Sequence, residues 1–412
     1  MFYKILLFLK IFKTALHQLY SRAQLKLTSL IHRLTYHPVS HPRNIVIIGA
    51  SFAGYTAAHR LAHSIPTGYR VFVVEKNSHF QLSWVLPRFC TVGGHEYKAF
   101  IPYGPYLAGA PDGSYTWVRD CVEKILPDES GDGSGKVQLG TGDCVDYEYL
   151  VFATGSSAEL PSRVGKEDKR DGIEAIQAEQ ERVKAAQDVV IVGGGPAGIE
   201  IAADAKSQYP GKNVTLVHSR EALLNARFGD KLRENVLMAL EGLGVVVVLG
   251  ERMMSSNDEV ILSSGRRIAC DCLIKCTGQT PNSSLLSSFS PSSISPSGHI
   301  KVRPTLQLSD TRYSHIYAAG DVIDMGNING YGAVQQAQIV AQNIVSAIKK
   351  QEQREYRPQW WEGISKLTLG MEKSVVYIND GSADVTLSVK NRAVELDSAM
   401  VWKYLGVKPY EV

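Results

Sequence analysis

An α/β fold with two parallel-sheet units is predicted by three observations. A strand–turn–helix–strand layout occurs twice, each copy carries a glycine-rich turn at the same place, and 412 residues are too many for one ordinary domain. In the first copy an apolar strand at 44–48 leads into Gly49-Ala50-Ser51-Phe52-Ala53-Gly54 and a helix through Leu61. Its second strand ends at Glu75. In the second copy a strand at 188–192 leads into Gly193-Gly194-Gly195-Pro196-Ala197-Gly198 and a helix through about Ser207. Its second strand ends at His218.

This context turns a glycine pattern into a dinucleotide-binding, Rossmann-like expectation. The first glycine permits the tight turn, the second lets a pyrophosphate approach the backbone, and the third lets helix pack on strand. The helix N-terminus then offers unpaired amide donors to the phosphates. Ser51 replaces the second glycine in the first turn, a small residue whose hydroxyl can itself donate. Glu75 stands where a carboxylate binds ribose hydroxyls, as an adenosine dinucleotide requires. The second copy has His218, Ser219 and Arg220 there, with Arg227 one or two helical turns on. An arginine pairs with a 2′-phosphate that a carboxylate repels, which tilts this nucleotide toward NADPH over NADH.

Composition narrows the partners. Hydrophobic residues at 44% and charged residues at 21% are those of a globular chain with substantial cores. A net charge of +3 is mild, so no specific nucleic-acid partner is expected. Six cysteines in a chain this long form no disulfide framework. Cys270, Cys272 and Cys276 lack a second metal-ligand pair, and the run 267–276 reads as one strand that points all three to one face as packing residues. No metal site is expected, and the compartment is read as reducing.

The N-terminal 42 residues differ from the rest. The first acidic residue of the chain is Glu75, whereas Lys4, Lys10, Lys13, Arg22, Lys26, Arg33 and Arg43 all precede the core that begins near Asn44. Drawn as a helix, Phe2, Ile5, Leu9, Phe12, Leu16 and Leu19 share one face, while Lys4, Lys10, Thr14, His17 and Gln18 fall largely on the other, with Leu7 and Ile11 intruding. The apolar run 5–9 is far short of the roughly 20 residues a bilayer span needs. Three readings stay open: an interfacial helix on an anionic membrane, a mitochondrial transit segment, and a helix packed on the body of the protein. The first leads, giving peripheral membrane association through residues 1–42 at a cytoplasmic face or in the mitochondrion. Position 2 is not glycine, which excludes N-myristoylation.

Further strings complete a pattern: 153–155 after an apolar strand, 276–282 after another, and 316–322 ahead of a long helical segment from Ala333. In this order they resemble the pyridine-nucleotide-dependent flavoprotein reductases of the glutathione-reductase class. The strings 87–89, 95–103 and 402–406 resemble its apoptosis-inducing-factor-like group, in the ferroptosis-suppressor and AMID-type branch. The resemblance covers about residues 43–350. It implies a two-domain FAD/NAD(P) fold with a small C-terminal α+β segment, divided as 1–42, 43–165 and 290–350 (FAD), 166–289 (NAD(P)) and 351–412.

The resemblance also implies site residues. FAD contacts are carried onto Gly49, Ala50, Ser51, Phe52, Ala53, Gly54, Glu75, Lys76, Arg88, Val122, Ala153, Thr154, Gly155, Gly320 and Asp321. Those of NADPH or NADH fall on Gly193, Gly195, Gly198, Glu200, His218, Arg220, Thr277 and Gly278. Lys98 and Glu200 are the candidate catalytic pair beside the flavin, the lysine stabilising the anionic reduced ring and the glutamate orienting it.

The disulfide reductases of the class carry a CysX4Cys pair where this chain has Cys90 alone, so no redox disulfide is expected. Electrons then pass from flavin directly to an acceptor, for which a quinone is the leading expectation. A slow redox-sensing flavoprotein and a tailoring oxidase are the alternatives. The short C-terminal segment, polar and linker-like from Gln351, leads to the expectation of a monomer or weak homodimer. Trp360, Trp361 and Trp402 are expected to be packing residues.

Overall fold

The computed structural model describes residues 2–128, 133–256, 259–382, 384–391 and 393–411. The face assignments of Phe2, Lys4, Ile5, His17 and Gln18 lie outside the described side chains. In chain order the elements begin with helix α1 (Phe2–Thr35), β1 (Arg43–Ile48), α2 (Phe52–Ala62), β2 (Tyr69–Val74), the short α3 (Leu86–Phe89), β3 (Tyr115–Val118) and β4 (Tyr149–Phe152). Next come α4 (Lys169–Ala185), β5 (Asp188–Val192), α5 (Pro196–Gln208), β6 (Asn213–Val217), α6 (Asp230–Leu243), β7 (Val246–Val248) and β8 (Cys272–Lys275). The chain ends with β9 (Ile316–Ala318), α7 (Gly330–Ile348), β10 (Ser365–Thr368), β11 (Lys373–Asn379), β12 (Asp384–Lys390) and α8 (Ser398–Tyr404).

Two units result. The first comprises Met1–Lys76, Leu107–Ser156 and Pro281–Glu362; the second comprises Asn77–Tyr106, Ser157–Thr280 and Gly363–Val412. The first holds a parallel sheet in the order β9-β4-β1-β2-β3, and the second a parallel sheet in the order β7-β6-β5-β8. Matching β4 with β8, β1 with β5, β2 with β6 and β3 with β7 superposes the two orders, so the repeat seen in the sequence is a repeat of topology. The central strands are buried on both faces, as near-continuous Val and Ile runs require of parallel sheets. In the first unit α2 lies against α7, and both helices carry buried small residues, Ala57 and Ala58 on one, Ala337 and Ala341 on the other.

The boundaries differ from those read in the sequence. Residues 77–106 belong with the second unit because Arg88 and Phe100 find their partners there, at Asp204 and Gly172. Residues 351–412 do not stand alone. The polar stretch after Gln351 is pinned to the first unit where Asn343 exchanges hydrogen bonds with the backbone of Arg354, and the Tyr356 hydroxyl donates to Glu362. Beyond Gly363, β10, β11 and β12 form an antiparallel sheet whose Leu367, Val375 and Tyr377 enter one core with Ile199 and Leu216. Trp402 is fully buried, whereas Trp360 and Trp361 are partly buried.

The cysteine run 267–276 is two strands rather than one. Residues Arg267–Ala269 pair antiparallel with Glu259–Leu262, whereas β8 joins the parallel sheet beside β5. Asp271 makes the break: its carboxylate accepts the amides of Gln187 and Asp188, both at 2.9 Å. The alternation is therefore reset. Cys270 packs with Val190 and Val192, while Cys272 and Cys276 pack in the cluster of Ile191 and Ile199.

Candidate active site

In the first unit the turn between β1 and α2 is built as a phosphate cradle. Gly49 adopts φ +90°, and a Cβ there would press on the Ala153 carbonyl at 2.6 Å. A Cβ on Gly54 would overlap the carbonyl of Gly49, so the helix can approach the strand only without one. Ser51 is the N-cap of α2 in extended conformation, yet its side chain makes no capping hydrogen bond. The first amides of α2 and the Ser51 hydroxyl are thus not spent on each other, as an incoming pyrophosphate requires. Phe52 stacks its ring against the backbone of Gly330, and Ala53 packs beneath Gly320.

Glu75, 4% exposed, accepts the amide of Ala50 from the end of β2. Its carboxylate is thereby fixed beside the turn, with Lys76 exposed next to it. The loop 153–155 is clasped by Asn282. The Thr154 hydroxyl donates to the Asn282 carbonyl at 2.7 Å, the Asn282 amide side chain donates back at 2.9 Å, and its backbone amide reaches the Gly155 carbonyl. Asp321 accepts from the Ser156 hydroxyl at 3.3 Å, and Gly320 donates to Gln336, a buried residue of α7. Val122 opens the strand Val122–Pro127 of a three-stranded antiparallel insert. Asn282 and Gln336 were not singled out in the sequence, although the first lies inside the string 276–282 and the second follows Gly320-Asp321 by one helix.

The second unit repeats the design. Gly193 has φ +119° against the Cys276 carbonyl, and a Cβ on Gly198 would overlap the carbonyl of Gly193. Gly195 caps α5, and the space a Cβ would fill there is open, which leaves room for a phosphate. Thr277 and Gly278 follow β8 beside this turn and are exposed. His218 Nδ1 accepts the amide of Gly194 at 3.0 Å. Its Nε2 is buried without a hydrogen-bond partner. Burial and the charge of Arg220 lower the His218 pKa, so the ring is neutral at neutral pH. Arg220 is exposed, and Arg227 lies in the irregular loop before α6 rather than on a helix, its guanidinium 4.8 Å from the centre of the Phe228 ring.

Three expected roles are corrected within this unit. Lys98 and Glu200 do not pair. The Lys98 ammonium, 8% exposed, meets His95 Nδ1 at 2.9 Å and Glu395 at 3.4 Å, and it sits 4.6 Å over the Tyr410 ring. Glu200 instead accepts the amide of Thr368 in β10 at 2.9 Å. Arg88 is not poised for a cofactor: at 1% exposure it donates to Asp204 at 2.7 Å and to the Gly370 carbonyl at 3.0 Å. In each case at least one partner comes from a distant stretch of chain.

Glu200 and Asp204 lie one turn apart on α5, Asp204 fully buried and Glu200 partly buried. Burial pushes Glu200 up to about 8, the nearby Asp204 reinforcing the shift, and pushes Asp204 up to about 6 despite Arg88. Glu200 therefore holds a proton at neutral pH. Cys90 is fully buried in the core of this unit, and burial raises its thiol well above the usual range. It is packing rather than a poised thiolate.

Residues 43–343 match the family model described as pyridine nucleotide-disulphide oxidoreductase. The chain belongs to this family. It is an FAD-dependent NAD(P)H oxidoreductase, with both turns fitting the dinucleotides that the family binds. It is 33% identical to Fe-regulated protein 8 of Mycosarcoma maydis, an alignment covering 89% of this chain and 95% of that one. It is 30% identical to human ferroptosis suppressor protein 1, with 76% and 83% covered. Among solved structures, the sulfide:quinone oxidoreductase of Aquifex aeolicus aligns with a TM-score of 0.69 over 88% of this chain and 90% of that one. At 17% identity this likeness concerns the fold alone.

Proposed function

We propose that this oxidoreductase passes electrons from NADPH, through FAD held at the first turn, to a quinone-type acceptor without any thiol intermediate. The observation that carries the reading is Cys90: the lone cysteine in the segment where disulfide reductases have a pair is sealed in an apolar core with its thiol protonated. The chemistry supplied by bound FAD is hydride acceptance and release of electrons to the acceptor. Reduction of a quinone to a quinol takes two electrons and two protons, whereas a hydride brings only one hydrogen nucleus. The second proton has to be held by the protein or drawn from water.

The preference for NADPH rests on the end of β6. His218 is neutral and Arg220 adds a positive charge where an NADH-specific fold places a carboxylate. The test is an anaerobic titration followed by addition of a short-chain ubiquinone analogue. NADPH should bleach the flavin and the quinone should restore it, equally in wild type and Cys90→Ala. A bleached flavin that only oxygen restores, or a Cys90→Ala protein that reduces its flavin but no longer passes electrons on, contradicts the reading.

A further inference from the structure

We infer that α1 is an in-plane anchor that lays one apolar strip on an anionic lipid surface. The helix is 34 residues long, and the fold leaves its apolar side uncovered. Leu9, Phe12, Leu16, Leu27, Leu30 and Leu34 are 51–81% exposed. At 3.6 residues per turn they fall in a strip about 60° wide. The strip runs from Leu9 to Leu34, about 38 Å along the axis at 1.5 Å per residue.

The side that is buried is a different one. Leu7, His32 and the half-buried Leu25 lie on the opposite face, so the helix is seated by that face and its most apolar strip points outward. Its C-terminal end is fixed to the first unit. His32 Nε2 bonds with the Ile65 carbonyl at 2.7 Å, Arg33 donates to the Gly109 carbonyl, and the Tyr36 hydroxyl bridges the carbonyls of Tyr69 and Gly113 at 2.9 and 3.0 Å. These contacts make residues 32–36 part of the folded unit.

Charge selects the occupant. Lys13 flanks the strip on one edge and Lys26 on the other, both exposed, and the sequence has no acidic residue before Glu75. Basic residues bordering an apolar strip match a surface of phospholipid headgroups, where the stems lie along acyl chains and the ammonium groups meet phosphates and carboxylates. A second copy of α1 is a poorer partner, because it brings lysines against lysines with no counter-charge in either helix. Among the described residues no helix is long and apolar enough to cross a membrane, so the contact is one of lying on the surface.

The test is co-sedimentation of the full chain with phosphatidylcholine vesicles, with and without phosphatidylserine. The flavin-loaded protein should pellet with the mixed vesicles, about tenfold more tightly than with the neutral ones, and salt should weaken the contact. Leu16→Glu/Leu27→Glu should abolish pelleting with bound flavin unchanged, and Lys13→Glu/Lys26→Glu should remove the preference for phosphatidylserine. Failure of the wild type to pellet, or pelleting unaffected by the leucine variant, overturns the inference. So does a dimer in sedimentation velocity that the leucine variant dissolves, since the strip then faces a second copy. Flavin reduction and its reoxidation by a water-soluble quinone, measured without vesicles, report on the redox reading separately.

Discussion

His218 Nδ1 accepts the amide of Gly194 at 3.0 Å, and the equivalent position in the other unit has Glu75 accepting the amide of Ala50. Each acceptor follows the second strand of its repeat, and each donor is the second residue of its glycine-rich turn. One architectural hydrogen bond is thus made by a carboxylate in one copy and by an imidazole in the other. Because Nδ1 accepts, the neutral ring carries its proton on Nε2. The end of β6 therefore presents the exposed cation of Arg220 where the end of β2 presents a carboxylate.

This exchange predicts nucleotide choice. His218→Glu should keep the bond to Gly194 while placing a negative charge beside the adenosine ribose, and should lower the NADPH:NADH affinity ratio by about tenfold or more. His218→Gln, which can both accept and donate, should preserve the ratio. Arg220→Ala should weaken NADPH far more than NADH. Dissociation constants for both nucleotides check all three variants, and equal losses for the two would remove these residues from the selection.

Stability should carry the signature of α5. The pKa of Glu200 is raised from 4.5 to about 8, so its protonated form favours the folded state. That contribution is complete below the unfolded value and is lost as pH rises through about 8. Asp204, raised from 3.8 to about 6, acts in the same direction at lower pH. Thermal melts should fall on the alkaline side in wild type, and Glu200→Gln should flatten that fall. A variant with an unchanged alkaline slope contradicts a protonated Glu200.

Arg88→Ala should destabilise the second unit by about 3–5 kcal/mol, because it leaves Asp204 buried and unpaired. Replacing both partners with apolar residues of similar size should recover much of that loss. Denaturant unfolding checks this. A single variant of wild-type stability that merely loses FAD would return Arg88 to the cofactor site.

The two turns should fail independently. Gly54→Ala forces a Cβ onto the Gly49 carbonyl and should deplete bound flavin. Gly198→Ala should leave the flavin content intact and raise the nucleotide dissociation constant. Flavin absorbance and nucleotide titration on each variant separate the two effects.

What was legible in the sequence was local and periodic. The repeated strand–turn–helix–strand unit, both glycine turns, Glu75 and His218 all sit within short windows where a two- or 3.6-residue period and glycine placement carry the signal. What was not legible depended on residues far along the chain. Lys98 is shared between His95 and Glu395, Glu200 is taken by the Thr368 amide and Arg88 by Asp204, and the long-range partners leave no local mark. The misread cysteine strand has the same origin: Asp271 breaks it by binding the amides of Gln187 and Asp188, more than eighty residues earlier. Asp204 was the most accessible of the missed residues, since its spacing from Glu200 puts both carboxylates on one face of α5.

The most direct test of the central claim is a single anaerobic experiment on the purified full chain. NADPH is added to stoichiometry, the flavin absorbance is followed, and a ubiquinone analogue is then injected. The account predicts bound FAD that bleaches with one equivalent of NADPH and returns fully with one equivalent of quinone, with no change when Cys90 is replaced by alanine. A protein without flavin, or one whose reduced flavin ignores the quinone, contradicts it.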